Sequence, residues 1–455
     1  MLHNRLNMKK VMFIFSIPVL LIAPMIHAAE LSVDDCVRMA LERSDQIKIS
    51  EAELAYYRGQ YHEALWNFWL PHVSATFIGG GPVAKQDKVI TRVTDVSNLG
   101  AMGLGPGFVI QGSIDFVYPL YTFGKLGSLL DAAGSGVDAA AISIVATKNS
   151  VIMDTRKAFY GMVLAGEIIS IMEDGKDRLD SARKKMQEML DNDDPSATEK
   201  DLYRIDYYAS EIISKLEEAK KGKAMAEAAL RLLIGLDQNE ALSIQRTNLE
   251  DNLSTIKPMD DYLRDSSASR PDLKALSHAI EARASLAKAR SRAYYPDFFI
   301  GGGFRFGYTN VDYEVVSPLL RDDLNYMGGG AGLGLRLDLD IGTKYAQEEQ
   351  AKAELLKIRM QSRLAEKAAQ VQVKKAYLDY TQSRTTYLSY RNGEKAAKKW
   401  LVSTTMNYNV GLGDTKDLLD ALIAHAQAKI QLLKSAYDAR AAMAELTMAT
   451  GTEKF

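Results

Sequence analysis

Residues 408–421, YNVGLGDTKDLLDA, set Asp414, Asp417 and Asp420 three residues apart just after a glycine-broken turn. If a helix starts here, this spacing puts three carboxylates along one side of it. A helix start offers free N–H groups and the positive end of the dipole, so Asp414 reads as the helix cap, with Asp417 at the third position. Asp420 lies beyond that turn, and the dipole accounts for it poorly. A second role is expected of it.

No catalytic set accompanies these acids. His62, His72, His278 and His425 are scattered without ligand spacing, so no metal and no cofactor is expected and the chain does not read as an enzyme. His425 falls on a helical seam as a polar core position. The run GGGAGLG from Gly328 does not fit the GxGxxG spacing of a phosphate loop and lies within an alternating strand. Cys36 is the only cysteine, cannot form an internal disulfide, and reads as a small apolar residue on a helix face. With 56 basic and 58 acidic residues interspersed along the chain, no nucleic-acid footprint appears.

The elements that hold the acids can be read outward from the N-terminus. Residues 1–29 have Lys9 and Lys10, an apolar run from Val11 to Ile26, then Ala28 and Ala29, the layout of a signal peptide. No later apolar stretch is expected to reach the roughly 18 residues of a membrane helix. An exported chain of this kind is periplasmic, secreted or an outer-membrane β-barrel.

The remainder is written twice, as 30–257 and 258–455. The passage from Ser44 to the glycines at 79–81 matches in style the passage from Arg270 to the glycines at 301–303. Both are Ala- and charge-rich helices that end in aromatics and proline before β-type residues. At a constant offset of 216, Asp201-Leu202 falls over Asp417-Leu418 and Gly235 over Gly451. Each copy reads as helix, two strands and a long helical hairpin, with strands near 72–80, 107–121, 297–308 and 328–341.

The strands alternate. Ala331, Leu333, Leu335, Leu337 and Leu339 oppose Gly332, Gly334, Arg336 and Asp338, and Ile110, Ile114, Phe116 and Tyr118 oppose Gln111, Ser113 and Asp115. An apolar face and a polar face suit a barrel wall between lipid and a wet lumen. Trp66, Trp69, Tyr294 and Tyr295 stand where strand meets helix, the place of an interfacial girdle. Four strands are too few to close, since the smallest membrane barrels have about eight, so the barrel must be shared among subunits. The helical seams, Leu202 to Leu233 and Leu418 to Ala449, have unbroken three-four spacing with many small residues. A helix over 122–190 would reach about 100 Å, the length of a tube or stalk.

Taken in order, the duplicated helix-proline-strand passages, RPDLKAL, LLIGLD and YNVGLGDTKDLLDA resemble the TolC family of outer-membrane efflux and export proteins, from Leu31 to Gly451. The resemblance implies an α+β membrane protein with an internal two-fold repeat. Its subunits form a homotrimer that shares one outer-membrane β-barrel of about twelve strands, continuous with a long periplasmic α-helical barrel. The implied function is the exit duct of a tripartite efflux pump or type I secretion system, with a periplasmic adaptor and an inner-membrane transporter as partners. It also implies that 408–421 lies at the periplasmic tip, where Asp417, Asp420 and Tyr408 form a gate and the acids collect in a cation-selective ring.

Val410, Gly411 and Leu412 resemble the tip sequence engaged by adaptor hairpins. Gly413 stands where the family often carries a gate-locking arginine, which leaves Lys416 or Arg204 as substitutes. In the first copy Asp201 alone keeps the acidic position. The competing readings are a periplasmic coiled-coil scaffold without a pore, in which the strands would be dispensable, and a surface hydrolase, which would need a catalytic pair.

Overall fold

The computed structural model describes residues 30–84, 104–193, 197–237, 240–250, 253, 255–310, 325–410 and 412–452. The expected signal peptide and Gly411 lie outside the described residues. The first half runs α1 (Val33–Arg43), α2 (Asp45–Trp69), β1 (His72–Ala84), β2 (Leu104–Tyr121), α3 (Lys125–Asp191) and α4 (Glu199–Ile234). The second runs α5 (Met259–Ser269), α6 (Pro271–Ser291), β3 (Asp297–Thr309), β4 (Tyr326–Arg336), α7 (Ile341–Asn409) and α8 (Thr415–Thr450).

The helix ends follow local chemistry. Ser32 and Asp35 form a reciprocal capping box at α1. Leu70 is extended because Pro71 follows it, which stops α2 and starts the sheet. α4 and α8 are each 36 residues long, are displaced by 216 positions, and end at left-handed Gly235 (φ 65°) and Gly451 (φ 67°).

The four strands form one antiparallel sheet in the order β1-β2-β3-β4, with β1 and β4 as its edges. The register sets Asp115 opposite Gly303 and Ser113 opposite Arg305. One face therefore carries Val73, Phe77, Ile110, Ile114, Ile300, Phe304, Phe306, Leu333 and Leu335. The other, more polar face carries His72, Ser74, Thr76, Gln111, Ser113, Asp115, Arg305, Arg336 and, along β4, Gly328, Gly330, Gly332 and Gly334, with Ile78, Val117 and Phe299 among them. Asp115 and Arg305 lie 3.6 Å apart on this polar face. β4 ends at Arg336, short of the expected 341, and Leu337 and Leu339 lie outside it. Arg336 pairs with Asp297, the first residue of β3, so no strand remains for Leu337 and Leu339 to pair with, and Asp340, whose side chain accepts a hydrogen bond from Thr343 N, then begins α7.

The long helices number 67 residues in α3 and 69 in α7, about 100 Å each. α3 pairs with α4 and α7 with α8, and α3 meets α8 to join the two hairpins. Much of each predicted seam is packed: Ile205, Leu216, Ala219 and Leu230 of α4, and Ala421, Leu432, Ser435, Ala439, Ala442, Leu446 and Ala449 of α8 are buried, whereas Lys223, in the α4 row, is exposed. α3 corrects one expectation, because it does contain a stretch long and apolar enough to cross a membrane. Only 6% of that stretch is buried within the subunit, and it is part of a helix packed along α2, α4, α6 and α8.

Midway along the hairpins the segment after α4 straps the inner pair. Leu31 pairs with it through Ser243 and Gln245, Leu249 is 1% exposed, Tyr387 Oη donates to Glu250 O at 2.8 Å, and Lys429 pairs with the Glu250 carboxylate.

Candidate gate at the helical tip

The turn between α7 and α8 is built on close backbone contact. Leu412 N donates to Asn407 O at 2.9 Å. A Cβ on Gly413 would lie 2.7 Å from Tyr408 N and 3.0 Å from its Cα, so a side chain there would have to displace backbone. Asp414 caps α8, its carboxylate accepting from Lys416 N at 3.1 Å.

The other two acids have no such use. Among the described residues neither Asp417 nor Asp420 makes an ion pair or side-chain hydrogen bond, and Asp417 does not bond back to Asp414 as a capping box would require. Asp417 is exposed and Asp420 half-buried, one turn apart. Between them Leu419, 2% exposed, inserts among Leu179 and Met186 of α3 and Ile205 of α4. The apolar side of α8 thus fastens the inner hairpin to the outer one. The unpaired acids stay on flanks that the subunit does not neutralise.

The proposed partners lie elsewhere. Arg204 pairs with Asp201 within α4 at 3.2 Å, where Thr198 caps the helix by accepting from Asp201 N. Lys416 is exposed and makes no ion pair among the described residues. The chain therefore brings neither cation to Asp417 or Asp420. Tyr408 does have a cation: Lys185 Nζ of α3 lies 5.2 Å from its ring centroid. Sequence reading missed Lys185, whose only signal is its place in the basic run Arg183–Lys185 near the end of a long helix.

Val410 is 68% and Leu412 84% exposed, an apolar pair at the extremity of the hairpin. Trp66, Trp69 and Tyr295 are exposed at the boundary of sheet and helices, where Tyr295 stacks on Phe123 at 4.9 Å, and Tyr294 is half-buried. His425 meets Glu394 of α7 at 3.4 Å, a half-buried polar contact on the seam. Among the described residues no cluster of His, Cys, Asp and Glu could hold a metal ion.

A twisted sheet with one apolar and one polar face, running into paired helices about 100 Å long, is the fold of outer-membrane channels. The chain superposes on the Campylobacter jejuni CmeC outer membrane channel with a TM-score of 0.77 at 17% identity, over 92% of this chain and 85% of that one. It superposes on the open state of the Neisseria gonorrhoeae MtrE outer membrane channel with 0.72 at 21% identity, over 92% and 88%. The outer membrane protein VceC of Vibrio cholerae gives 0.70 at 17% identity, over 92% and 96%. No curated protein is close enough in sequence to match. Residues 262–452 match the family described as outer membrane efflux protein, so the chain is similar to that family, as its motifs implied.

Proposed function

We propose that this protein is the outer-membrane exit duct of a tripartite efflux pump or a type I secretion system. It carries substrates outward from an inner-membrane transporter and a periplasmic adaptor. The observation that supports this reading most directly is the sheet, which separates a mainly apolar from a more polar face and whose edge strands β1 and β4 have no further partner strand among the described residues. Unpaired strand edges are not tolerated in lipid, so closure requires other copies of the chain. Three copies, with β4 of one beside β1 of the next, make one barrel in the outer membrane, and the hairpins form a periplasmic tunnel beneath it.

Trp66, Trp69, Tyr294 and Tyr295 then stand at the lipid boundary. At the far end Asp417 and Asp420 of three subunits converge in a ring that favours cations, beside Tyr408. Asp414 caps the helix, and Val410, Gly411 and Leu412 meet the adaptor. The two structural halves, 30–257 and 258–455, act as repeats of one unit. The work is passage rather than chemistry, with no enzymatic role.

The test is the purified protein in detergent, inserted into planar bilayers and compared with an Asp417→Ala, Asp420→Ala variant. The expected result is a cation-selective pore of small conductance that loses selectivity and opens in the variant. A protein that is soluble without detergent and forms no pore would overturn the reading.

A further inference from the structure

On the more polar face of the sheet, which the duct reading turns to the lumen, the charges come in couples with one left over. Asp115 and Arg305 stand 3.6 Å apart on β2 and β3. Asp297, the first residue of β3, gives its carboxylate to Lys125 of α3. Arg336, the last residue of β4, faces Asp297 in the ladder, a register that ordinarily yields a cross-strand ion pair. That pair does not form. Among the described residues Arg336 makes neither an ion pair nor a side-chain hydrogen bond, and the second carboxylate oxygen of Asp297 is buried with no partner.

An aromatic seat holds the guanidinium instead. Its Cζ lies 5.4 Å from the centroid of the Phe299 ring. That ring occupies the place where a Cβ on Gly334 would stand, so the glycine makes room for the ring and the ring carries the arginine. Arg336 and Phe299 line a cavity of about 740 Å³ at the junction of sheet and helices, together with Glu63 and Asn67 of α2 and His72 of β1. Glu63 is exposed and does not pair with Arg336. The charge and the N–H donors of the guanidinium are left to whatever enters this cavity.

We propose that Arg336 is an anion contact at the throat of the duct, where barrel meets tunnel, and that it takes the carboxylate, phosphate or sulfonate groups of passing molecules. The proposal rests on the duct reading, in which three copies set three such arginines around one lumen. A planar fork of donors suits oxyanions better than an ammonium does. The sign is opposite to that of the acids at the tip. α7, about 100 Å long, separates the two, many times the Debye length of ~10 Å at 0.1 M salt, so each end filters charge independently.

The first readout is the reversal potential in planar bilayers at about 10 mM salt, where screening is weak. Arg336→Gln should raise the permeability of cations over anions roughly two-fold or more, the effect of a unit charge on an ion about 10 Å away in water. The same factor is expected in the Asp417→Ala, Asp420→Ala background. Arg336→Lys should keep the wild-type ratio, and so should Asp115→Asn, Arg305→Gln, which removes a couple without changing net charge. The second readout needs no pore: binding of 8-hydroxypyrene-1,3,6-trisulfonate to the detergent-solubilised protein, followed by fluorescence anisotropy at the same salt. Arg336→Gln should weaken it roughly two-fold or more, and the Asp115→Asn, Arg305→Gln variant should not.

If Arg336→Gln leaves both selectivity and dye binding unchanged, or if the neutral double substitution shifts them as far, the contact is wrong while the duct reading stands on its pore. A shift in selectivity alone would assign the arginine to small inorganic anions, and a loss of dye binding as well extends it to organic ones. If no variant forms a pore but dye binding still depends on Arg336, the anion contact stands and the duct reading falls.

Discussion

Arg270 shows how one residue can tie three helices. It is 8% exposed and donates to both oxygens of Asp272 at 2.9 and 2.6 Å, to Gln372 of α7 at 2.9 Å and to the Ala449 carbonyl of α8 at 3.3 Å. It also lies where Gly451 must pass, since a Cβ there would come within 2.8 Å of the Arg270 Cα. Removing the guanidinium in Arg270→Met should cost about 2–3 kcal/mol, less than a fully buried pair because Asp272 is still reached by water. Thermal unfolding of the detergent-solubilised protein measures this. The same pair gives a pH dependence. Burial alone would raise the Asp272 carboxyl, but the bonds and charge of Arg270, with the backbone N–H groups of Leu273 and Asp272, together outweigh it and hold the group below the ordinary carboxylate range. A depressed acid stabilises the fold at every pH above its unfolded value, and that contribution is lost as pH falls through its folded value. The wild type should therefore lose an increment of stability below about pH 4 that Arg270→Met has already lost.

At the scale of elements, what could be read in advance was whatever repeats with a short period. The seams of α4 and α8 were visible because three-four spacing survives any tertiary arrangement, and the faces of the strands because alternation does. The end of β4 was not, since Leu337 and Leu339 continue the alternation while the ladder ends at Arg336, opposite the first residue of β3, and where a partner strand begins is not written in the strand's own period. Lys185 was invisible for a different reason: its partner is more than 200 positions away and no local pattern links them. The glycines of the sheet divide in the same way. On the apolar face a Cβ at Gly302 would meet Gly330 O at 2.7 Å and the Phe116 ring at 2.8 Å, whereas at Gly330, on the polar face, it would meet nothing within 4 Å. Both look alike in sequence. Gly302→Thr should prevent assembly or lower its stability sharply. Gly330→Thr should be tolerated, and it should stabilise the strand by up to about 1 kcal/mol because glycine is a poor strand former. Heat-resistance of the oligomer on gels separates the two outcomes.

At the scale of the whole molecule, the proposed shared barrel makes a demand on the flanks of the helical hairpins. Among the described residues β1 and β4 are the edges of the sheet, and in the tip half α4 and α7 lie on the outside of the hairpin pairs, with α3 and α8 between them. Each of these flanking helices exposes large side chains: Tyr203 at 64% and Tyr207 at 66% on α4, and Val402 at 46% and Met406 at 63% on α7. They also stand at matching distances along the chain from the tip turns: Tyr203 and Met406 lie a few residues away, and Tyr207 and Val402 about one turn further along. Scattered apolar residues on a surface need no explanation, but pairs so matched on the two flanking helices do. If copies close side by side, Tyr207 of one meets Val402 of the next, and the contact repeats until the ring is complete. A Tyr207→Cys, Val402→Cys double variant treated with a short flexible bismaleimide should therefore give a ladder on denaturing gels that stops at three chains. Each single variant should give none, because a heterologous contact joins two different surfaces. A ladder that runs past three would mean an open filament or a larger ring. Cross-linking by either single variant would mean that like helices face each other. Either result would replace the shared barrel with a different assembly, whatever the fold of the single chain.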